Sequence, residues 1–301
     1  MVSRIIEIAE DKRYLSVFRG FLLIKSSEEI GKEIARIPLD DVAAIIANSY
    51  GITYSNNLLV KCAEEGIPFI VCGQNHSAVG ILWGVDGHHE QARRFDAQIH
   101  ASLPTKKRLW KTVVQAKLYQ QGQVLERLGK GSISLVRLRT QVKPGDPQNI
   151  EAQAARTYWQ QLFGNDFRRN RRLQGINSLL NYGYTVLRAM TGRAVLAAGL
   201  HPTLGIHHLN QGNPMRLVDD LMEPFRPVID FVVWKLSSAG MGEVNAETKR
   251  ELVLSLYKRI QKAESSQSID ELIMLLATSL ALVYVKERKE LNLPPDLTAV
   301  E

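Results

Sequence analysis

The chain has 301 residues, enough for two domains that each bury a core of their own. Hydrophobic residues make up 45% and charged residues 23%, proportions that are ordinary for a soluble globular protein. The formal net charge is +7, and many of the cations are clustered, notably in residues 93–94, 106–108 and 168–172. Such clusters can neutralise several phosphates, so they favour nucleic acid as a partner over a surface that is merely basic.

Neither the first residues nor the cysteines point to a secreted or membrane protein. The opening MVSRIIEIAEDKRYLS carries acidic side chains where a signal peptide needs an apolar core. No apolar run approaches the ~20 residues that span a bilayer. Cys62 and Cys72 lack any CxxC partner, which argues against a structural zinc module, and buried thiols are expected rather than a disulfide. We therefore expect a cytoplasmic protein that does not bind membranes.

Strand character dominates the first ~85 residues. The predicted strands cover residues 14–25, which form a hairpin, and residues 32–39, 42–47 and 68–72. Arg19-Gly20 is the expected turn of the hairpin. Ser55 is expected to cap a helix that ends near Glu65, because Gly66 suits the position that terminates helices.

The helical period dominates after residues 84–89, GVDGHH, which are expected to connect two domains. The predicted helices cover residues 90–101, 105–128, 148–163, 175–199, 214–238, 246–264 and 268–290. Residues 141–148 are expected to be irregular, and the residues from Pro294 onward are expected to form a loose tail. The sequence thus predicts an α+β protein, with a small β-rich domain at residues 1–86 and a larger all-α domain at residues 87–301.

Glu151 is the first residue that suggests chemistry. It falls in the first turn of a predicted helix, with Ala155 and Tyr158 on the same face. The small alanine leaves space for an ion beside the acid, and Tyr158 could reach a nucleotide. The alternative is an ordinary first-turn glutamate that the helix dipole favours.

His207 and His208 precede a compact acidic segment. Adjacent residues point about 100° apart on a helix, so both histidines are not expected to bind one ion, and either could simply pack or face solvent. Further along, Asp220 and Glu223 are three residues apart and share one helix face, whereas Asp219 is turned away. Imidazole and carboxylates together are the ligand set of a divalent ion, and Arg226 beside them suggests a phosphate substrate.

Two prolines predict a break in the helix at these acids. Pro224 and Pro227 cannot donate to the carbonyls of Asp220 and Glu223, so the turn is expected to loosen and to present carboxylates into a cleft. Asn213-Pro214 is the expected start of this helix. The alternative is a helix that begins only near Pro224, and a straight, fully bonded helix would contradict the break.

Cations and amides are concentrated between these elements. FRRNRR, residues 167–172, is followed by a predicted helix start that carries asparagines and tyrosines. These side chains suit contacts to phosphate, sugar and unpaired bases, although capping and core packing are the alternative. The residues expected to contact DNA are Arg168, Arg169, Arg171, Arg172, Asn177, Asn181, Tyr158, Tyr182 and Arg226.

Nearly the whole chain resembles one family, the CRISPR-associated spacer-acquisition integrases, the larger subunit of the adaptation complex. The most specific motifs are IEAQAARTYWQQLF (150–163), INSLLNYGYTVL (176–187) and GLHPTLGIHH…MRLVDDLMEPFRP (199–227). The compact length and the DLMEPFR wording are similar to the form found in systems with a single large effector nuclease. The resemblance implies that Glu151, His208 and Glu223 are the catalytic ligands of a metal ion. Asp220 is then an accompanying acid, and His207 is a neighbour.

The implied reaction joins the 3′-OH ends of a short captured DNA to the repeat of a CRISPR array by transesterification. The resemblance further implies Mg²⁺ or Mn²⁺ as cofactor, an associated endonuclease activity, an N-terminal domain for dimerisation and partner binding, and a helical domain for catalysis and DNA binding. Homodimers and a small adaptation partner protein would form a heterohexamer-like complex. Two alternatives are a stand-alone structure-selective endonuclease that acts on branched DNA, and a non-catalytic DNA-binding scaffold whose acids pair with its arginines.

Overall fold

The chain divides into two units, Met1–His89 and Glu90–Glu301, in the computed structural model. The structure describes residues 4–29, 32–73, 78–82, 84, 89–262 and 265–299. Residues 85–88, most of the expected connection, lie outside the described residues. A strand-rich unit precedes a mostly helical one, so the predicted α+β class is confirmed.

Two four-stranded sheets and one helix build the described part of the first unit. Its elements are β1 (Arg4–Ile8), β2 (Arg13–Phe18), β3 (Phe21–Ser26), β4 (Glu33–Pro38), β5 (Val42–Ala47), β6 (Ile52–Tyr54), α1 (Asn56–Glu64), β7 (Phe69–Cys72) and β8 (Ala78–Leu82). One sheet has the order β1-β5-β7-β8, with its first three strands parallel, and the other has the order β4-β3-β2-β6. The sequence pattern does not predict β1, β6 or β8.

Local signals place the turns and caps of this unit correctly. Strands β2 and β3 pair from Arg13 with Ser26 to Phe18 with Phe21. Arg19 and Gly20 between them have φ values of 48° and 80°, the left-handed pair that a two-residue hairpin of this twist requires. The Ser55 hydroxyl accepts from the Leu58 amide and caps α1. The predicted hairpin and helix start are therefore confirmed.

The core of the first unit joins residues from both sheets and α1. Leu15 and Leu22 contribute from one sheet, Ile45 and Phe69 from the other, and all four are at most 1% exposed. Cys62 on α1 is buried in the same cluster, and this burial raises the pKa of its thiol to about 11. No disulfide joins Cys62 to Cys72, and the expectation of buried thiols holds for Cys62, whereas Cys72 is partly exposed. An inert, protonated Cys62 thiol therefore acts as a small apolar side chain.

Helices make up most of the second unit. Its elements are α2 (Gln91–Ile99), α3 (Leu103–Arg127), α4 (Ile133–Gln141), α5 (Ile150–Phe163), α6 (Ile176–Ala197), α7 (Arg216–Leu221), α8 (Arg226–Ser238), α9 (Ala246–Tyr257), β9 (Arg259–Lys262), β10 (Ser265–Ser268) and α10 (Ile269–Tyr284). Within the described ranges, no helix combines the length and the apolar run that a bilayer crossing needs.

Two segments differ from the sequence-based expectation. The helix predicted at 246–264 is wrong after Tyr257, because β9 and β10 form an antiparallel hairpin there. Ser268 ends that hairpin and caps α10 in a capping box with Glu271, so the polar serines serve a strand and a cap rather than a helix interior. The pattern does not predict helix α4. It follows Gly129 and Gly131, two glycines with positive φ that lie just after the end of α3.

The expected loose tail is also wrong, because the last described residues dock against α3. Gln120 donates its side-chain amide to the Pro295 carbonyl at 2.6 Å and accepts from the Leu297 amide at 3.0 Å. Leu297 is only 3% exposed. An apolar side chain near the end of the chain, together with a buried glutamine that satisfies the backbone, fixes the segment.

Helix α6 crosses α8 at close range. A Cβ atom on Gly183 would come within 2.4 Å of the Ile229 side chain, so only glycine permits this approach. The Tyr184 hydroxyl next to it donates to the Asp230 carboxylate, which is 1% exposed. Burial raises the pKa of Asp230 to about 7, although the tyrosine hydrogen bond acts in the opposite direction. Tyr158 is buried beside Asp230, and its own burial together with the Asp230 charge raises the pKa of its hydroxyl well above the ordinary value.

Replacement of Leu297 by alanine tests the docked tail. We expect the free energy of unfolding in urea to fall by about 2–4 kcal/mol, since a buried leucine is truncated. The matched control is Leu293→Ala, at a side chain that is 37% exposed, where the loss should stay below about 1 kcal/mol. Equal losses at the two positions would contradict a docked tail.

Asp230→Asn tests the buried carboxyl. A raised pKa means that the native state holds the Asp230 proton to higher pH than the unfolded state does. The stabilisation that comes from this bound proton is complete below pH 3.8, the ordinary pKa of the group, and is lost as the pH rises through about 7. Asparagine has no such proton, so the stability of the variant relative to wild type should rise by up to about 4 kcal/mol between pH 4 and pH 8. If the difference in stability between Asp230→Asn and wild type does not change with pH, the raised pKa of Asp230 is contradicted.

Candidate active site

A break between α7 and α8 sets the position of Glu223, one of the predicted metal ligands. Helix α7 ends at Leu221, a single 3-10 turn covers Glu223–Phe225, and α8 begins at Arg226. The Phe225 and Arg226 amides both donate to the Met222 carbonyl, so the regular ladder is interrupted there. The predicted break is confirmed.

The expected start of this helix at Asn213-Pro214 is wrong by two residues. Helix α7 begins at Arg216, because the Asn213 side chain accepts from the Met215 amide and from Arg188 rather than capping a helix. Asn213 therefore shapes the loop before α7.

A lysine lies between two of the predicted ligands. Lys117, in the middle of α3, has its Nζ 2.6 Å from Glu151 Oε1 and 2.6 Å from Glu223 Oε2. The Lys117 side chain is 10% exposed and that of Glu223 is 4% exposed. Burial alone would lower the pKa of Lys117, but the two carboxylates raise it above the ordinary value. The lysine is therefore a charged ammonium between two carboxylates.

Arg226 holds the other oxygen of Glu223. Its Nη2 lies 3.1 Å from Glu223 Oε1, and its guanidinium carbon lies 4.9 Å from the centre of the Tyr184 ring. Burial pushes the pKa of Glu223 upward, but the charges of Arg226 and Lys117 hold it below its ordinary value. Glu223 is thus an ionised carboxylate with almost no access to water.

Asp220 faces a different partner from Glu223. Its carboxylate accepts from the amides of Ile206, His207 and His208 at 2.6, 3.0 and 3.4 Å, and it contacts His208 Nδ1 at 2.5 Å. Gly205 permits this, since a Cβ there would come within 3.0 Å of Asp220 Oδ2. The expectation that Asp220 and Glu223 present both carboxylates together is wrong: Asp220 shapes the 205–208 loop.

The two histidines differ in their surroundings. The His207 ring stacks on Trp110 with a centroid distance of 4.3 Å and an interplanar angle of 2°. His208 meets the same indole edge-on at 5.7 Å. The Asp220 hydrogen bond raises the pKa of His208, and the nearby charges of Glu223 and Glu151 raise it further. The charges of both glutamates therefore act on His208, while its Nδ1 is engaged by Asp220.

Helix α5 begins at Ile150, two residues after the predicted start, and brings Glu151 into its first turn as expected. Asp146 accepts from the Ile150 and Glu151 amides, both at 2.9 Å, and so caps the helix start. Tyr158, two turns later, is 0% exposed. The expectation that Tyr158 contacts DNA is wrong in this structure, because its ring faces the helical core beside Asp230.

The asparagines expected to contact DNA instead organise the arginine loop. Asn177 is 5% exposed, accepts from Arg169 and from the Asn170 amide, and donates to the Arg168 carbonyl, so its predicted DNA contact is also wrong. The Asn181 amide is used in the same way, by Arg169 and by the Arg171 carbonyl.

The remaining predicted DNA contacts fall into two groups. Arg168, Arg171 and Arg172 are exposed and form a cationic surface, whereas Tyr182 is half-buried under the Lys249 ammonium at 5.2 Å.

Among the described residues, no three histidine, cysteine, aspartate or glutamate side chains are grouped so that they could hold a metal ion as they stand. Glu151 and Glu223 converge, but the Lys117 ammonium is between them. The sequence reasoning missed Lys117 and Trp110, which lie two turns apart on α3. The sequence does carry an indication of Lys117. It falls on the face of α3 that the helical period assigns to the core, and a lysine is almost never buried there unless it is paired with an acid.

Comparisons of sequence agree with these motifs. Residues 6–267 match the family described as CRISPR associated protein Cas1. The CRISPR-associated endonuclease Cas1 of Neisseria meningitidis serogroup C (strain 8013) is 34% identical over 296 residues, which cover 95% of this chain and 94% of the relative. The CRISPR-associated endonuclease Cas1 2 of Pyrobaculum aerophilum is 30% identical over 233 residues, covering 73% and 78%.

Solved structures share the fold. A casposase bound to integration product has a TM-score of 0.82 at 19% identity, covering 98% of this chain and 94% of that chain. A Cas1 protein from Thermotoga maritima has a TM-score of 0.75 at 16% identity, covering 94% and 97%. A Cas6-RT-Cas1–Cas2 complex has a TM-score of 0.73 at 17% identity, covering 97% of this chain and 36% of that chain. With the family match over most of its length, the chain belongs to the Cas1 family of CRISPR-associated proteins.

Proposed function

We propose that this protein is a metal-dependent DNA integrase of CRISPR adaptation with an associated endonuclease activity. It joins the 3′-hydroxyl ends of a short captured duplex to the repeat of a CRISPR array. The attacking 3′-oxygen forms a bond to phosphorus, and the opposite 3′-oxygen leaves as a hydroxyl. One phosphodiester replaces another, so the reaction needs no nucleotide energy source, and water in place of the hydroxyl gives strand cleavage.

The observation that carries the proposal is the pair of carboxylates facing one cation. Glu223 Oε2 is buried and, like Glu151 Oε1, lies 2.6 Å from Lys117 Nζ, so the two carboxylates already converge on one positive charge. Carboxylate oxygen and imidazole nitrogen suit Mg²⁺ or Mn²⁺. Glu151, His208 and Glu223 would hold the ion, which supplies Lewis acidity at the attacked phosphodiester when bound.

The surrounding side chains orient these ligands. Because Asp220 engages His208 Nδ1, Nε2 is the nitrogen left for an ion, the arrangement in which a carboxylate fixes the tautomer of a ligating imidazole. Arg226 pins one oxygen of Glu223. The exposed arginines at 168, 171 and 172 provide the charge that binds the DNA backbone.

The relatives support the substrate and the assembly. Two of them carry the name endonuclease, one solved structure is a casposase bound to integration product, and another is a complex that contains Cas2. Two joining events, one on each strand, need at least two active sites. We therefore propose a homodimer that works in the cytoplasm with a small adaptation partner, in a heterohexamer-like complex.

Joining of a labelled short duplex to a supercoiled plasmid that carries a repeat tests the proposal, with the small partner present. The expected result is joining in Mn²⁺ that is lost in EDTA and lost with a 3′-blocked donor. Cleavage that ignores the 3′ block would indicate a stand-alone nuclease. No metal-dependent chemistry at all would indicate a DNA-binding scaffold.

Glu223→Gln keeps the size of the side chain and removes its charge. Loss of a residue that only supports a metal ligand typically costs ~10–100-fold in activity. We expect the rate of joining to fall by more than this, because Glu223→Gln removes a ligating carboxylate itself. The matched control is Asp219→Asn, since Asp219 pairs with Arg188 at 2.7 Å and faces away from the site. The rate of joining at saturating Mn²⁺ is the measurement, and a control that loses as much activity as Glu223→Gln would contradict the assignment.

Asp220→Asn should give an intermediate effect. The carboxylate accepts from three amides and one imidazole, so a neutral amide loosens the loop and the orientation of His208. We expect a Mn²⁺ affinity that is weaker by about 10–100-fold, and joining that recovers in part as Mn²⁺ is raised. Titration of the joining rate with Mn²⁺ measures this. A loss that added Mn²⁺ cannot reverse would instead mean that Asp220 acts directly in the chemistry.

A further inference from the structure

We propose that the Lys117 ammonium and a divalent cation are alternatives for the same two carboxylates. Lys117 holds the metal-free site together between Glu151 and Glu223, and it must leave that position before an ion can bind both acids. The inference rests on the proposed function, because it adopts Glu151 and Glu223 as ligands.

The first support is the position of the nitrogen. Lys117 Nζ is equidistant from Glu151 Oε1 and Glu223 Oε2, at 2.6 Å from each. An ion such as Mg²⁺ takes its oxygen ligands at about 2.0–2.1 Å. In this proposal, an ion that binds both oxygens takes the place where the nitrogen now lies. Two cations at one point repel strongly where water is excluded, so occupancy by one excludes the other.

The second support is the balance of buried charge. Glu223 is 3% exposed, and besides Lys117 it forms an ion pair with Arg226, through its other oxygen. Without the lysine and without metal, Oε2 would be a buried charge that faces a second carboxylate. Such a state is unfavourable because the single charge of Arg226 would then have to compensate two carboxylates with little help from water. A cation at this point therefore stabilises the folded state as long as both glutamates are ionised.

The third support is the chemistry of the lysine side chain. Its ammonium lies 2.6 Å from Glu223 Oε2, within ion-pair distance. Lysine carries a compact charge on a flexible four-carbon chain, whereas arginine would grip the carboxylates through a rigid fork. The contact is thus electrostatic, and a divalent ion can replace it.

Binding of Mn²⁺ in the absence of DNA tests the inference without any measure of activity. The variants are Lys117→Met, which keeps the length and removes the charge, and Lys117→Arg, which keeps the charge. The control is Lys107→Met, ten residues earlier on α3 and hence about 15 Å along the helix axis, at an exposed position. Calorimetric titration gives the affinity, and thermal unfolding in EDTA and in Mn²⁺ gives the stability.

We expect Lys117→Met to bind Mn²⁺ at least tenfold more tightly than wild type, since the ion no longer competes with an ammonium. The same variant should have the lowest Tm in EDTA and the largest gain in Tm on addition of Mn²⁺. Lys117→Arg should bind no more tightly than wild type, and Lys107→Met should stay within twofold of it. Weaker or unchanged Mn²⁺ binding by Lys117→Met would overturn the inference.

Two further outcomes separate its failure from that of the proposed function. If the wild-type protein binds no Mn²⁺ and Glu223→Gln gives the same titration, there is no metal site. That result contradicts both this inference and the proposed function. If Lys117→Met does not fold in EDTA, the double variant Lys117→Met/Glu223→Gln decides, because it removes both charges. Restored folding supports a role in charge balance. A double variant that still does not fold means that Lys117 acts through packing, which overturns the inference.

Discussion

The helical unit is arranged around one constraint, the burial of the charged carboxylate of Glu223. A carboxylate that loses water is stable only where cations replace the water, and here Lys117 and Arg226 do so from two different helices. Helices α3 and α8 are therefore tied to the same short turn. Arg226 also lies over Tyr184, which donates to Asp230, so the constraint extends to α6. These polar side chains form one connected network behind the candidate site.

Acids that are neighbours in sequence have separate tasks in this network. Asp219 pairs with Arg188, Asp220 holds the 205–208 loop, and Glu223 faces Lys117. Asp219 and Asp220 are adjacent on α7 and so point about 100° apart, whereas Glu223 belongs to the 3-10 turn that follows Leu221. Each of the three carboxylates therefore has contacts of its own.

Local rules predicted much of the fold and part of the site. The Arg19-Gly20 turn, the Ser55 cap, the first-turn position of Glu151 and the break at Pro224 all depend on neighbours within a few residues. The failures have the opposite character. The β9–β10 hairpin and the docked tail depend on partners far away in the chain, such as Gln120 for Leu297. Periodicity has no information about such partners.

The sequence by itself determined the class of the fold, which follows from the period and order of its predicted elements, and the family, which its motifs resemble. That resemblance also named the candidate ligands. Only the tertiary structure decided what each side chain does. It buried Tyr158 and Asn177, paired Asp220 with the amides of the 205–208 loop, and placed Lys117 between two glutamates that are 72 residues apart in the chain. The physical reason is that a buried charge selects its partners by distance in space, and packing of α3 against α5 and the α7–α8 turn sets that distance.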